Sequence, residues 1–163
     1  MRNTLMRTLA SATAVVAVTA GGVTALASPA SADDYRCKTS AKEFPTNGYN
    51  ADVKVELCLV RSWGGSGGSN EIKRAYARVS WGESGSGKWE KFAVQVRIEQ
   101  NDAIVKSKTC TVTNISNTSG SYTCSLGPYS NISGNTADGT VTYNVNDDGL
   151  GNQSWGLAGT PKL

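Results

Sequence analysis

The chain has 163 residues, with 16 Lys and Arg against 13 Asp and Glu, and no histidine. Without histidine, the Ser–His and Cys–His nucleophile systems and the commonest general base are excluded. The formal charge of +3 comes without a concentrated cationic stripe, which points away from nucleic acid as a partner.

Arg2 and Arg7 give a positive start, an apolar, alanine-rich stretch runs from Leu9 to Leu26, and Ala30-Ser31-Ala32 fits a small-x-small cleavage site. This pattern predicts a secretory signal peptide over residues 1–32, and hence a secreted, extracellular protein. Gly21-Gly22 and Pro29 interrupt the stretch, so a membrane anchor is not expected, and no later segment is apolar enough to cross a bilayer. Residues 33–163 then number 131 and carry 14 basic and 13 acidic side chains, net +1. That length suits one domain.

Residues 33–51, "DDYRCKTSAKEFPTNGYNA", show no clear alternation and are expected to form an irregular N-terminal arm. Such an arm can add to a neighbouring sheet edge or cover its own. From residue 52 onward the pattern is that of strands. "VKVELCLV" sets Val53, Val55, Leu57 and Leu59 on one face, and "FAVQVRIEQ" does the same with Phe92, Val94, Val96 and Ile98. Period two over several residues marks half-buried strands. Further strands are expected around Lys73–Trp81, Ala103–Val112, Ser121–Leu126, Gly139–Val145 and Ser154–Gly159. Clusters such as "GGSGGSN", "QND" and "GPYSNISGN" punctuate them as turns. About seven short strands with no helical period predict an all-β fold, an antiparallel β-sandwich over residues 52–163.

Two stretches resemble ligand-binding loops. In "WGESGSGKWE", Gly82, Gly87 and Lys88 follow the spacing of a phosphate-binding loop. That loop needs Ser or Thr after the lysine and a helix beyond it. Here Trp89 follows, and then a strand pattern, so a glycine-rich hairpin loop is expected. In "NVNDDGLGN", Asn144, Asn146 and Asp148 echo the alternating oxygen ligands of a calcium loop. Position one is Asn, however, and Trp155 stands where a closing Glu belongs. A polar turn is the favoured reading, with no metal and no cofactor.

Four cysteines remain: Cys37, Cys58, Cys110 and Cys124. An even number in an exported chain favours two disulfides. Their spacings, 20, 51 and 13 intervening residues, lack the close pairs that zinc takes. Of the three pairings, Cys37–Cys58 with Cys110–Cys124 is preferred, because the second pair flanks one loop between two expected strands.

No pair among Glu83, Glu90, Asp138, Asp147 and Asp148 stands out for acid–base work on a glycosidic bond. A non-enzymatic protein is expected. The triplet Ser-Trp-Gly recurs at Trp63, Trp81 and Trp155, each near a strand–turn boundary. Aromatic residues there serve either as caps on a small core or as contacts for a partner. The candidate contacts are Trp63, Trp81, Trp89, Tyr129 and Phe44.

The signal, the two cysteine pairs, the ending "ADGTVTYNVNDDGLGNQSWGLAGTP" and the overall size resemble small secreted β-sandwich proteins of Streptomyces and relatives. In size, export and β content the chain is also similar to the small adaptor subunit of secreted umbrella toxin particles, which joins a large stalk protein to lectin-bearing subunits. The resemblance implies that the N-terminal arm and the sandwich edges are linking surfaces. The expectation is therefore a protein–protein interaction module, an adaptor whose partners are other secreted proteins. Two alternatives stand beside it. One is a protease inhibitor presenting Ser116–Ser121. The other is a carbohydrate-binding module that uses Trp63, Trp81, Trp89 or Tyr129.

Overall fold

A computed structural model describes residues 33–46, 48–64, 70–82, 88–113, 115, 119–130, 134–146 and 148–163. The expected signal peptide, residues 83–87 of the glycine loop and Asp147 lie outside the described residues. Among the described residues there are eight strands: β1 Asp34–Phe44, β2 Ala51–Gly64, β3 Asn70–Trp81, β4 Trp89–Gln100, β5 Ala103–Thr111, β6 Gly120–Ser130, β7 Asn135–Val145 and β8 Gln153–Gly156. They form two four-stranded sheets, β1-β2-β3-β6 and β5-β4-β7-β8, and all pairings are antiparallel. The chain is an antiparallel β-sandwich with two disulfides.

The core follows from the period-two pattern. Val53, Val55, Leu57 and Leu59 of β2 and Ala75, Ala77 and Val79 of β3 are buried on the first sheet. Phe92, Val94, Val96 and Ile98 of β4 face them, together with Ala137, Val141, Tyr143 and Val145 of β7. Gly139 interrupts the β7 row, and Leu157 occupies the space beside it, where an added Cβ would lie 2.9 Å from Leu157 Cδ1. The β4–β5 hairpin turns on two residues, Asn101 and Asp102, with φ of 50° and 62°. Both residue types tolerate this left-handed region, and a turn with two positive φ values matches the twist of paired strands.

Two expectations need correction. The segment 33–51 is not an irregular arm, because residues 34–44 form β1 and pair with β2 along their full length. Alternation is missing there because β1 is an edge strand that is mostly exposed on both faces, so apolar side chains do not mark it. Its stability comes from main-chain pairing and from Cys37–Cys58, which links directly opposed residues at a Cα–Cα distance of 4.1 Å. Further along, β6 continues through Gly127-Pro128 to Ser130, a stretch that reads as a turn. Pro128 is tolerated because β6 is also an edge, where a missing N–H breaks no ladder.

The β5 and β6 edges are tied to each other. Lys106 and Lys108 of β5 reach across to the first sheet and donate to the carbonyls of Pro128 (2.7 Å) and Ser125 (3.0 Å) on β6. Cys110–Cys124 joins the same two strands covalently. On the far side, the tail after β8 continues beside β7, with Leu157, Thr160 and Leu163 donating to the carbonyls of Gly139, Ala137 and Asn135. Charged and covalent cover of this kind blunts edge-to-edge association.

Candidate functional site

The outer face of the first sheet carries the most distinctive surface. Register places Tyr35, Val60 and Arg74 in one row across β1, β2 and β3. The next row holds Cys37, Cys58, Tyr76 and Ser125. Of these, Tyr35, Val60, Arg74, Tyr76 and Ser125, with Gly127, Pro128 and Asp33, line a groove of about 490 Å³. Val60 forms its floor and is only 6% exposed although it points outward, while Tyr35 is 53% exposed. The β-bulge between Lys73 and Ala75 breaks the β3–β6 register beside Arg74. Bulges bend a strand and re-aim its side chains.

Charge in the groove is uneven. Tyr35 Oη donates to Asp33 Oδ2 at 3.3 Å, which occupies the one carboxylate of the lining. Arg74 is exposed and has no ion pair or hydrogen-bond partner among the described residues. The Tyr76 phenol is pushed above its ordinary value of 10.0, first by burial and then by Glu56 and Tyr35, with Arg78 opposing. Tyr76 therefore stays a neutral donor at neutral pH. The groove thus offers two phenols, an apolar floor, a Gly-Pro rim and an unpaired guanidinium.

A second cleft, about 590 Å³, lies at the opposite end of the same sheet and is lined by Lys42, Asp52, Lys54 and Trp81 among others. The row Thr39, Glu56, Arg78 and Thr123 separates the two.

The residues expected to contact a partner are not brought together. Phe44 is a correction: it is 1% exposed and belongs to the core. Its ring packs edge-on to Trp89 at 4.9 Å, Tyr143 at 4.8 Å and Trp155 at 5.8 Å. Trp89 is part of the same cluster, with Nε1 buried and unpartnered among the described residues. Trp81 is partly buried against the core, with its indole over Gly120, and Tyr129 also packs there. Trp63 alone among these is well exposed, at 44%, and it lies at the far end of β2 from Trp81. These aromatics form no single platform.

Several described residues of the two loop motifs make bonds within the fold. Lys88 is buried and donates to Thr46 Oγ1 at 3.0 Å and to the Tyr49 carbonyl, tying the β1–β2 connection to the start of β4. In the calcium-like stretch, Asn144 donates its amide to Glu90, and Asp148 Oδ1 accepts from the Leu150 N–H at 2.8 Å. The Asn146 N–H donates to the Lys88 carbonyl at 3.0 Å. Among the described residues, the one close group of three metal-ligand types is Cys37, Glu56 and Cys58, and both sulfurs are in the disulfide. Residues 116–118 of the Ser116–Ser121 loop lie outside the described residues, and Gly120 and Ser121 open β6.

Sequence reading missed Tyr35, Tyr76 and Val60 as a site. One signal was present: in "VKVELCLV", Cys58 and Val60 break the polar side of the alternation, marking an apolar patch on the outer face. Compared with known proteins, the chain matches no protein-family model, no curated protein and no solved structure.

Proposed function

We propose that the protein is exported and works without turnover, by binding another secreted protein through the outer face of its first sheet. The groove of Tyr35, Val60, Arg74, Tyr76 and Pro128 carries this reading. Tyrosine and arginine are concentrated at the energetic centres of interfaces, where amphipathic rings and a planar cation gain most from desolvated contact. Arg74 has no partner among the described residues, and a carboxylate or carbonyl from another chain would suit its guanidinium. Two disulfides suit an oxidising, extracellular setting.

The second cleft, with Lys42, Asp52 and Trp81, is a separate surface on the same rigid sheet. Two surfaces on one small domain suit an adaptor, such as a subunit linking larger members of a secreted, toxin-like assembly. The test is gentle affinity purification of the tagged protein from its native culture supernatant, followed by size-exclusion chromatography and mass spectrometry. Co-elution with particular larger secreted proteins in fixed ratio supports the adaptor. Elution as a lone small particle counts against it.

A polysaccharide ligand is the second reading, favoured by the exposure of Trp63. Retention on chitin, glucan or peptidoglycan that is lost in Trp63→Ala would support it instead.

A further inference from the structure

At the end of the sandwich nearest Trp63, two polar side chains are buried in the space between the sheets. Lys73, on β3 of the first sheet, is 1% exposed, and Asn135, opening β7 of the second, is 0% exposed. Lys73 Nζ donates to Asn135 Oδ1 at 2.9 Å. Asn135 Nδ2 donates to the Glu99 carbonyl at 3.4 Å, so both ends of the amide are held, with the oxygen on Lys73. Glu71, two residues before Lys73 on the same strand, places Oε1 3.1 Å from Lys73 Nζ. That oxygen is buried and makes no aligned hydrogen bond among the described residues. Arg61 faces Lys73 in register from β2 and is paired with Asp34 at 2.9 Å, so Asp34 does not compete for Glu71's role.

A buried amine, an amide carbon and a carboxylate able to move protons are the parts of an acyl transfer. We infer that Lys73 and Asn135 join in an intramolecular isopeptide bond, formed once per molecule with Glu71 as the proton carrier. The Glu71 carboxylate takes a proton from the Lys73 ammonium. The neutral amine then attacks Asn135 Cγ, forming the new C–N bond. The bond from Cγ to Nδ2 breaks, the proton held on Glu71 and one of the two on the attacking amine join the two already on Nδ2 so that this nitrogen leaves as ammonium, and a secondary amide that keeps the other amine proton remains. Atoms and charge balance without any outside reagent. Folding supplies the catalysis, because reacting groups held in a fixed near-attack arrangement gain the advantage of an intramolecular reaction. Exclusion of water at this site protects the amide from competing hydrolysis. The bond ties the first sheet to the second between residues 62 apart in sequence. It adds to Cys110–Cys124 a link that thiols cannot open.

The experiment is intact-mass spectrometry of the exported chain under reducing conditions, with the N-terminus determined, followed by tryptic peptide mapping. The wild type is expected to be lighter than its sequence by one ammonia, about 17 Da, with one branched peptide joining Lys73 to Asn135. Glu71→Gln and Lys73→Arg, both of similar size to the residues they replace, are expected to keep the full mass while remaining folded by circular dichroism. Full mass in the folded wild type would overturn the inference. So would an ammonia loss that maps to another asparagine, such as Asn47 before Gly48, or one that persists in Lys73→Arg. Cross-linking at the wild-type level in Glu71→Gln would overturn the role of Glu71.

Discussion

Cys110 of β5 and Cys124 of β6 are bonded across the sandwich at a Cα–Cα distance of 5.8 Å, whereas Cys37 and Cys58 link strands that are already hydrogen-bonded neighbours. Loop-closure entropy gives each about 3 kcal/mol. The bridge between sheets also holds apart-lying edges in contact and is buried at Cys124. Replacing Cys110 and Cys124 by Ala is therefore predicted to lower the urea midpoint more than replacing Cys37 and Cys58. Equal or reversed losses would show that the sheets stay docked without the bridge.

Phe44 is the hub of an aromatic cluster that closes one end of the core. Phe44→Ala is predicted to cost about 3–5 kcal/mol, a large fraction of the stability of a small domain. Chemical unfolding measures it. Trp63→Ala, at an exposed strand end, is predicted to change stability by no more than about 0.5 kcal/mol.

Gly139 leaves no room for a methyl group. An added Cβ would lie 2.9 Å from both the Gln95 carbonyl oxygen and Leu157 Cδ1. Gly139→Ala is predicted to destabilise by about 1–3 kcal/mol. Shortening the side chain with Leu157→Ala removes one clash and leaves the backbone one, so the double variant is predicted not to recover wild-type stability.

Tyr76 holds its proton more tightly in the fold than in the unfolded chain, chiefly through burial and Glu56. The folded state thus binds more protons, and stability is predicted to fall as pH rises past the ordinary value of 10.0 and to level off once the folded phenol ionises. A phenolate titration followed by NMR measures the midpoint. Glu56→Gln is expected to lower it, and Arg78→Gln to raise it.

Strands β2, β4 and β7 were legible because each buries one face, and half-burial writes period two into the side chains. The disulfide pairing was also legible, from loop spacing. β1 was not, since an edge strand exposed on both faces leaves no hydrophobic signal. Phe44 was read as a surface contact for the same reason: without β1 in view, nothing placed it at the end of a strand above Trp89. The Tyr35, Val60, Arg74 and Pro128 groove is assembled from four strands by register alone. The pairing of Lys73 with Asn135 likewise depends on how two sheets stack, which no local pattern encodes.

The proposed binding surface is the outer face of the first sheet, and its proposed occupant is a secreted partner. Once co-purification has identified that partner, its complex with the wild type should be compared with its complex with Arg74→Glu/Tyr76→Ala, by size-exclusion chromatography at matched concentration. Both substitutions lie on an exposed or half-exposed face, so the fold is expected to survive, with circular dichroism as the check. The folded double variant is predicted to elute alone while the wild type elutes with its partner. An undiminished complex in the double variant would contradict it and place the binding surface elsewhere on the sandwich.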